Sequence, residues 1–386
     1  MPPTKLTTLE REKAGGRDLR FDSLRGLMIV CMTINHLPSS LRAYTDESVG
    51  IFSSAEGFVF LSGLLAGWVY SRRLRRDGPA ALKAAAVKRA TRIYGWHVTS
   101  FLCCLAAVRI CSALTGFCSW ASPPLFYAHP WLAALLGSAM LYQPGLLDIL
   151  PMYCVFVLLL PPVLGALEAG RHRQVLGWSF LAWFVVQWVP PIDGAPLYPV
   201  HVGSFNIFAW QLLFVWGAVI GHARLTDPRP PISFRPLLLA GAALVVVYGY
   251  GVQKLHWRPD VPDWLFGVLL NKPNLGPLRL ADFGMAAYLV SAFGARWPRL
   301  LTWRPLAFLG QHSLVVVAAQ SVLIIILIQF DGLFSAVWRD HLVALGAVAF
   351  LFVAAWVHEA VAGKKPLRPR QTPAGPVIPP HDVPAA

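Results

Sequence analysis

RFDSLRGLMIVCMTINHLPSS (Arg20–Ser40) and IFSSAEGFVFLSG (Ile51–Gly63) decide how this chain is read. Both are apolar runs, and both carry groups that a membrane helix ordinarily excludes. The first holds Asp22, Arg25, Asn35 and His36; the second holds Glu56. A charged side chain inside a spanning segment costs about 2.5–3.5 kcal/mol on insertion scales, so each is a functional candidate by default. Arg25 and His36 are eleven residues apart. That is about three helical turns, which sets both on one helix face, about 16 Å apart. Asp22 precedes Arg25 by three residues, within pairing reach. Two readings follow. In one, Arg25 snorkels to the headgroups and His36 sits at the opposite interface. In the other, Arg25 binds an anion and His36, whose ordinary pKa is near neutrality, is a general base.

The rest of the composition agrees with a membrane setting. Of 386 residues, 56% are hydrophobic and 13% charged, where a soluble domain carries about 25% charged residues. Fifteen Trp and 22 Phe suit interfacial belts and aromatic-lined cavities. The net charge of +14 is no sign of a nucleic-acid partner, because the cations lie between apolar segments and form no stripe with interleaved aromatics. Cytoplasmic loops obeying the positive-inside rule account for it. The six cysteines, Cys31, Cys103, Cys104, Cys111, Cys118 and Cys154, form no CxxC pair, and packing is their expected role. No metal-ligand cluster, Gly-rich phosphate loop or GxSxG elbow is visible. The polar, charged N-terminus does not read as a cleavable signal peptide.

Taken in order, residues 1–20 read as a cytoplasmic arm. Ten spans are expected at about 21–38, 51–70, 93–115, 146–167, 174–190, 205–222, 236–253, 278–294, 306–329 and 341–361. The expected architecture is therefore all-α, a polytopic membrane bundle of about ten helices with both termini cytoplasmic. The strongest topology signal is 71–92, read as a basic cytoplasmic loop, with eight Lys and Arg against a lone Asp77. Trp131–Tyr142 is too short to span and reads as re-entrant or interfacial. The Pro-rich tail, 362–386, is expected to be disordered. No internal repeat is apparent, which weighs against a transporter built from repeats.

DSLRG with His36 ten intervening residues beyond its Arg resembles the R-x10-H signature of the membrane acyltransferase-3 family. RDLRFDSLRG, AEGFVFLSG, LLDILPMY, FNIFAWQLLF, LGPLRLADF and LGQHSLVVVAAQ, in this order over about 17–361, resemble the OpgC branch of that family. The resemblance implies an O-succinyltransferase in the bacterial inner membrane acting on osmoregulated periplasmic glucans. It implies succinyl-CoA as a cytoplasmic donor substrate and no permanently bound cofactor.

On that reading His36 deprotonates a sugar hydroxyl. Arg25 holds donor phosphate or lines the pantetheine channel, and Arg92, with the basic segment around it, meets the nucleotide. Glu56 either orients His36 or pairs with Arg25 as a structural bridge. The candidate substrate-binding residues are Asp22, Asn35, Asp148, Trp210, Arg279 and His312. Asp22 positions Arg25. Asp148 binds sugar hydroxyls or caps its helix. Trp210 stacks on a sugar or packs. Arg279 offers a cation to a succinyl carboxylate. His312 and Gln320, eight residues apart, face a cavity or a neighbouring helix. Membrane lipid is a further partner of the basic segment. The rival readings are an O-acetyltransferase for another surface polysaccharide and, in a different class, a glycan or lipid transporter.

Overall fold

The computed structural model describes residues 18–116, 123–188, 203–225, 235–257 and 260–362. The expected N-terminal arm (to residue 17), the Pro-rich tail from 363 and most of the Pro-rich loop after 188 lie outside the described residues. The described elements are helical: α1 (Leu19–Asn35), α2 (Arg42–Thr45), α3 (Ser54–Thr115), α4 (Pro124–Ala128), α5 (Pro130–Ser138), α6 (Ile149–Glu168), α7 (His172–Val186) and α8 (Ile207–Ala223) come first. They are followed by α9 (Pro236–Lys254), α10 (Asp263–Leu270), α11 (Pro277–Arg296), α12 (Arg304–Gln311), α13 (Ser313–Leu327), a 3-10 turn at Asp331–Phe334 and α14 (Val337–Val361).

Each expected span is occupied by helix, but membrane crossing is supported by length and composition for fewer than ten. Four helices, α3, α6, α9 and α14, are long and apolar enough, and α12 with α13 makes a fifth if the bent pair is one span. The shortfall has physical causes. At 17 residues α1 and α8 are short, and α7 has 15. Helix α11 carries Arg279, Asp282 and Arg296. The expected span 306–329 is broken at His312, where α12 and α13 meet at 86°.

The basic segment 71–92 is helix, not loop. Helix α3 runs through it and bends at Gly78 (φ 83°), followed by Pro79. A positive φ suits glycine, and proline has no N–H to continue the ladder, so the pair kinks the helix without ending it. Beyond the kink, Ala80, Ala81, Ala84, Ala85 and Ala86 favour helix strongly enough to carry the charge run along. Leu82, Ala86, Ala90 and Ile93 turn inward to the core, while Lys83, Lys88 and Arg92 stay exposed.

Helix α3 is the centre of the bundle, packing against α8, α6, α13 and α1. Its contact with α8 is backbone on backbone. A Cβ on Gly63 would collide with the Phe214 carbonyl, and one on Gly67 with that of Ala218. Reciprocally, Gly217 and Gly221 lie against the carbonyls of Phe60 and Leu64. Small residues four apart on both helices permit this approach, the device by which membrane helices gain packing without a hydrophobic drive. The same device seats α1 on α12: Gly26 meets the Leu306 carbonyl and Gly310 the Asp22 carbonyl. These two contacts set where α1 stands relative to α3.

Overpacking a filled contact costs about 1–3 kcal/mol even where side chains can yield, and here the obstacle is backbone. Gly63→Leu and Gly217→Leu are expected to lower the unfolding temperature in detergent or to abolish folded yield. Gly95→Ala, where a Cβ meets nothing within 4 Å, serves as the control and is expected to leave it unchanged or slightly raised.

Candidate functional site

Between α1, α3, α6, α8 and α13 lies a cavity of about 510 Å³. Its wall is apolar over most of its area, with Leu65, Ile93, Val157, Phe214 and Val317 among the lining residues. Set into that wall are Asp18, Asp22, Arg25, Ser62, Tyr70, Arg72, Arg89, Tyr153 and Ser313. Arg25 donates from Nη2 to Ser313 Oγ (2.6 Å) and its guanidinium lies 5.3 Å from the centre of the Phe58 ring. Tyr153 meets the same ring edge-on at 5.8 Å and donates its hydroxyl to the Phe58 carbonyl (3.1 Å). Arg72 and Arg89 reach the cavity from opposite sides of the Gly78 kink, so the bend converges two basic stretches on one space. Arg72 sits 5.0 Å over Trp68, and Arg224 lies between Phe21 (5.0 Å) and Trp68 (5.9 Å). Asp18 is committed to Arg20 at 2.6 Å. The cavity is thus an apolar chamber bearing three guanidinium groups, a donor set suited to phosphate or carboxylate.

His36 lies at the other end of α1, as its C-cap, and is an exposed residue. Arg42, Asp46 and Lys272 are the charges around it. Asn35, next to it, donates to the Thr45 carbonyl (3.2 Å) and accepts from the Thr45 hydroxyl. Arg42 and Asp46 pair at 3.0 Å, and Lys254 donates to the carbonyls of Ala43 (3.0 Å) and Asp46 (2.8 Å). The segment that follows α1 is therefore tied down around the imidazole.

Glu56 departs from both expected roles. Its Oε1 accepts from Arg279 Nη1 (2.8 Å), and its Oε2 takes the Ser53 hydroxyl (2.6 Å) and the Ser53 backbone N–H (3.0 Å) in a capping box. With both oxygens engaged, it neither orients His36 nor bridges to Arg25. Arg279 is equally committed: Nη2 binds Glu47 Oε1 at 2.5 Å. This Glu47–Arg279–Glu56 triad is almost wholly buried, and it locks α11 to the start of α3. One turn on, the buried Asp282 accepts the Ile51 N–H at 2.6 Å and pins the same entry.

The remaining candidates separate in the same way. Asp22 and Arg25 share the cavity wall. Asp148 uses its carboxylate to hold the Ser204 N–H (3.0 Å) and makes no side-chain cap on α6. Trp210 is fully buried, its indole N–H on the Pro273 carbonyl (3.0 Å) and its ring against Phe205. That is packing, with no face open to a sugar. His312 is buried at the break between α12 and α13, Nδ1 against the Phe308 carbonyl (3.0 Å), its ring 5.5 Å from that of His358. Its neighbour Ser313, rather than His312, reaches the cavity. Arg92 is exposed and off the wall; Arg89, three residues earlier, is on it. Sequence reasoning took Arg72 and Arg89 only as part of the basic segment around Arg92, and it singled out neither Tyr153 nor Ser313. LLDILPMY and LGQHSLVVVAAQ were the signals for the last two, since each sets a polar group in an apolar run.

Helices of membrane length, packed through small residues around a chamber with guanidinium groups in its wall, describe a membrane protein. A family described as OpgC protein matches residues 17–362, and the chain belongs to that family. No curated protein and no solved structure matches it.

Removing one partner of a buried ion pair strands a charge and costs about 3–5 kcal/mol. Arg279→Met is therefore expected to lower the unfolding temperature markedly. Adding Glu47→Gln and Glu56→Gln is expected to recover part of the loss, since the stranded charges go. Normal unfolding with selective loss of turnover in Arg279→Met would show a substrate-binding role instead.

Proposed function

We propose that this protein is a membrane O-acyltransferase that moves a succinyl group from cytoplasmic succinyl-CoA to hydroxyls of periplasmic glucans. The observation that carries this reading is the division of labour along α1. One end places Arg25 in the wall of the chamber, and the other carries the exposed residue His36. Membership of the OpgC family supports a transferase acting in glucan modification.

In this mechanism Arg72 and Arg89 hold the donor's phosphates at the cytoplasmic side, in place of the expected Arg92. The apolar wall takes the pantetheine arm, and the chamber volume lies in the range of small-molecule sites. Arg25, deeper and paired with Ser313, holds donor phosphate or lines the pantetheine channel. His36 takes the proton of the incoming sugar hydroxyl, whose oxygen attacks the thioester carbonyl. The carbon–sulfur bond breaks, an ester forms, and the thiolate leaves and is protonated as CoA thiol. Asn35 shapes the acceptor side through its tie to Thr45. The exposed Arg73, Arg76, Lys83, Lys88 and Arg92 meet anionic headgroups of the cytoplasmic leaflet.

The test is mass spectrometry of periplasmic glucans from cells lacking the protein, complemented with wild type or His36→Ala at matched membrane expression. A ladder of succinyl mass increments with wild type alone is the expected result. Acetyl increments would keep the mechanism and change the donor. Unmodified glucans in both strains would remove the glucan assignment and favour another acceptor or a transporter. In purified protein, the double change Arg72→Gln and Arg89→Gln is expected to raise the donor KM about tenfold or more, about 1.4 kcal/mol. Arg92→Gln is expected to shift it little.

A further inference from the structure

The cavity and His36 do not meet. Along α1 the wall stops at Arg25, and along α3 it stops at Phe58, short of Glu56. The acyl group of the proposed reaction must nevertheless reach the oxygen that His36 activates. Phe58 stands at that end of the wall, with the buried Ile29, Met32 and Thr33 of α1 between it and the His36 end. Phe58 is 4% exposed and is held on two sides, with the Arg25 guanidinium 5.3 Å from its ring centre and the Tyr153 ring edge-on at 5.8 Å. Tyr153 also fixes the backbone beneath it by donating to the Phe58 carbonyl.

A second observation lies just past the wall. Val317 lines the cavity, and Gln320 is three residues further along α13 in the direction leading away from Ser313 and Arg25. Gln320 is 5% exposed, and its Oε1, like Ser62 Oγ in the cavity wall, is buried with no hydrogen-bond partner among the described residues. A buried amide oxygen left unsatisfied is uncommon and calls for an explanation. A passage that is shut in this conformation, and that accepts a donor when open, supplies one.

We propose that Phe58 is the internal barrier between the donor chamber and the His36 side, and that it swings aside, toward the Gln320 side, when acyl transfer occurs. The inference rests on the acyl-transfer reading for its purpose, but not for its geometry. The clamp has a chemical logic. A thioester waiting in the chamber is open to attack by water, which yields the free acid and CoA thiol and wastes the donor. An aromatic ring held by a cation and a tyrosine keeps water from the His36 side out until an acceptor is in place. Arg25 contributes twice, to the chamber and to the latch, so donor binding at its guanidinium competes with its hold on the ring.

Two experiments test this, one of them independent of the substrate. Ser62, a cavity residue, is replaced by cysteine in a background lacking the six native cysteines, and a membrane-impermeant thiol reagent is applied from the His36 side of intact membranes. With Phe58 present, labelling is expected to be slow; with Phe58→Ala it is expected to rise at least tenfold, and with Phe58→Leu to rise much less. Equal labelling in all three folded variants, or fast labelling with Phe58 intact, would overturn the barrier. In the second experiment, purified enzyme is given succinyl-CoA without acceptor. Phe58→Ala is expected to release CoA thiol several-fold faster than wild type and to transfer less acyl per CoA released when glucan is added. An unchanged ratio in a variant whose unfolding curve stays cooperative would overturn the coupling role. A wild type that turns over no acyl-CoA, with or without glucan, would count against the acyl-transfer reading while leaving the labelling result to decide the barrier.

Discussion

A charge buried among apolar helices must have a partner, and that constraint sorts the ionisable residues of this protein into two kinds. Arg279 lies between Glu47 and Glu56, and its cation offsets two carboxylates that would otherwise stand in a low-dielectric interior. Asp282 accepts the Ile51 backbone N–H through one carboxylate oxygen, and Asp340 is held by the Ser40 N–H with the Ser39 and Ser40 hydroxyls. These groups hold loop to helix on the side of the bundle where α1 ends and α3 begins. The second kind faces open volume. Arg25, Arg72 and Arg89 border a chamber of about 510 Å³.

That distinction also marks how far the sequence could be read. The helices beneath the expected spans were legible, because each rests on an apolar run, although only four are long and apolar enough to cross a membrane by themselves. Arg25 was legible as a cavity residue for the same reason that it was conspicuous: a guanidinium in an apolar segment, on the face shared with His36. Glu56 was equally conspicuous and was given the wrong partners. Its partner Arg279 is 223 residues away, and nothing local in either segment specifies the pairing; it arises from α11 packing beside the start of α3. The basic stretch 71–92 misled in a different way. Positive charge reports on which side of a membrane a segment lies, whereas alanine content and hydrogen bonding decide whether it is helical, and here the two were conflated. The break at His312 comes two residues after Gly310, a glycine that also serves the close contact of α12 with α1, so its presence alone did not announce the bend. Trp210 was read from its residue type, which suits sugar stacking, yet its indole N–H finds a carbonyl inside the core.

The glycine contacts explain why a chamber exists at all. When α3 and α8 meet backbone to backbone through Gly63, Gly67, Gly217 and Gly221, they leave no room for side chains between them. The volume is displaced to the neighbouring interfaces. Helix α1 is drawn against α12 by Gly26 and Gly310, and at the cavity its contact with α3 is made by Arg25 against the Phe58 ring. The Gly78 kink then folds the far half of α3 back so that Arg89 joins Arg72 at the same space. Close approach in one place and separation in another are two results of one set of small residues.

A bundle made this way carries a consequence for the chemistry proposed for it. Donor and acceptor of a transmembrane acyl transfer are separated by phase as well as by distance, and the enzyme must join them without making a pore. Two half-sites at opposite ends of a single helix meet the first requirement, since α1 fixes their spacing rigidly. The second requires that the ground state be closed between them, because a continuous polar channel would leak ions and expose the thioester to water. The closed wall at Phe58, with Arg25 on one side and the unsatisfied Gln320 amide beyond it, is therefore what a working catalyst of this kind has to look like at rest.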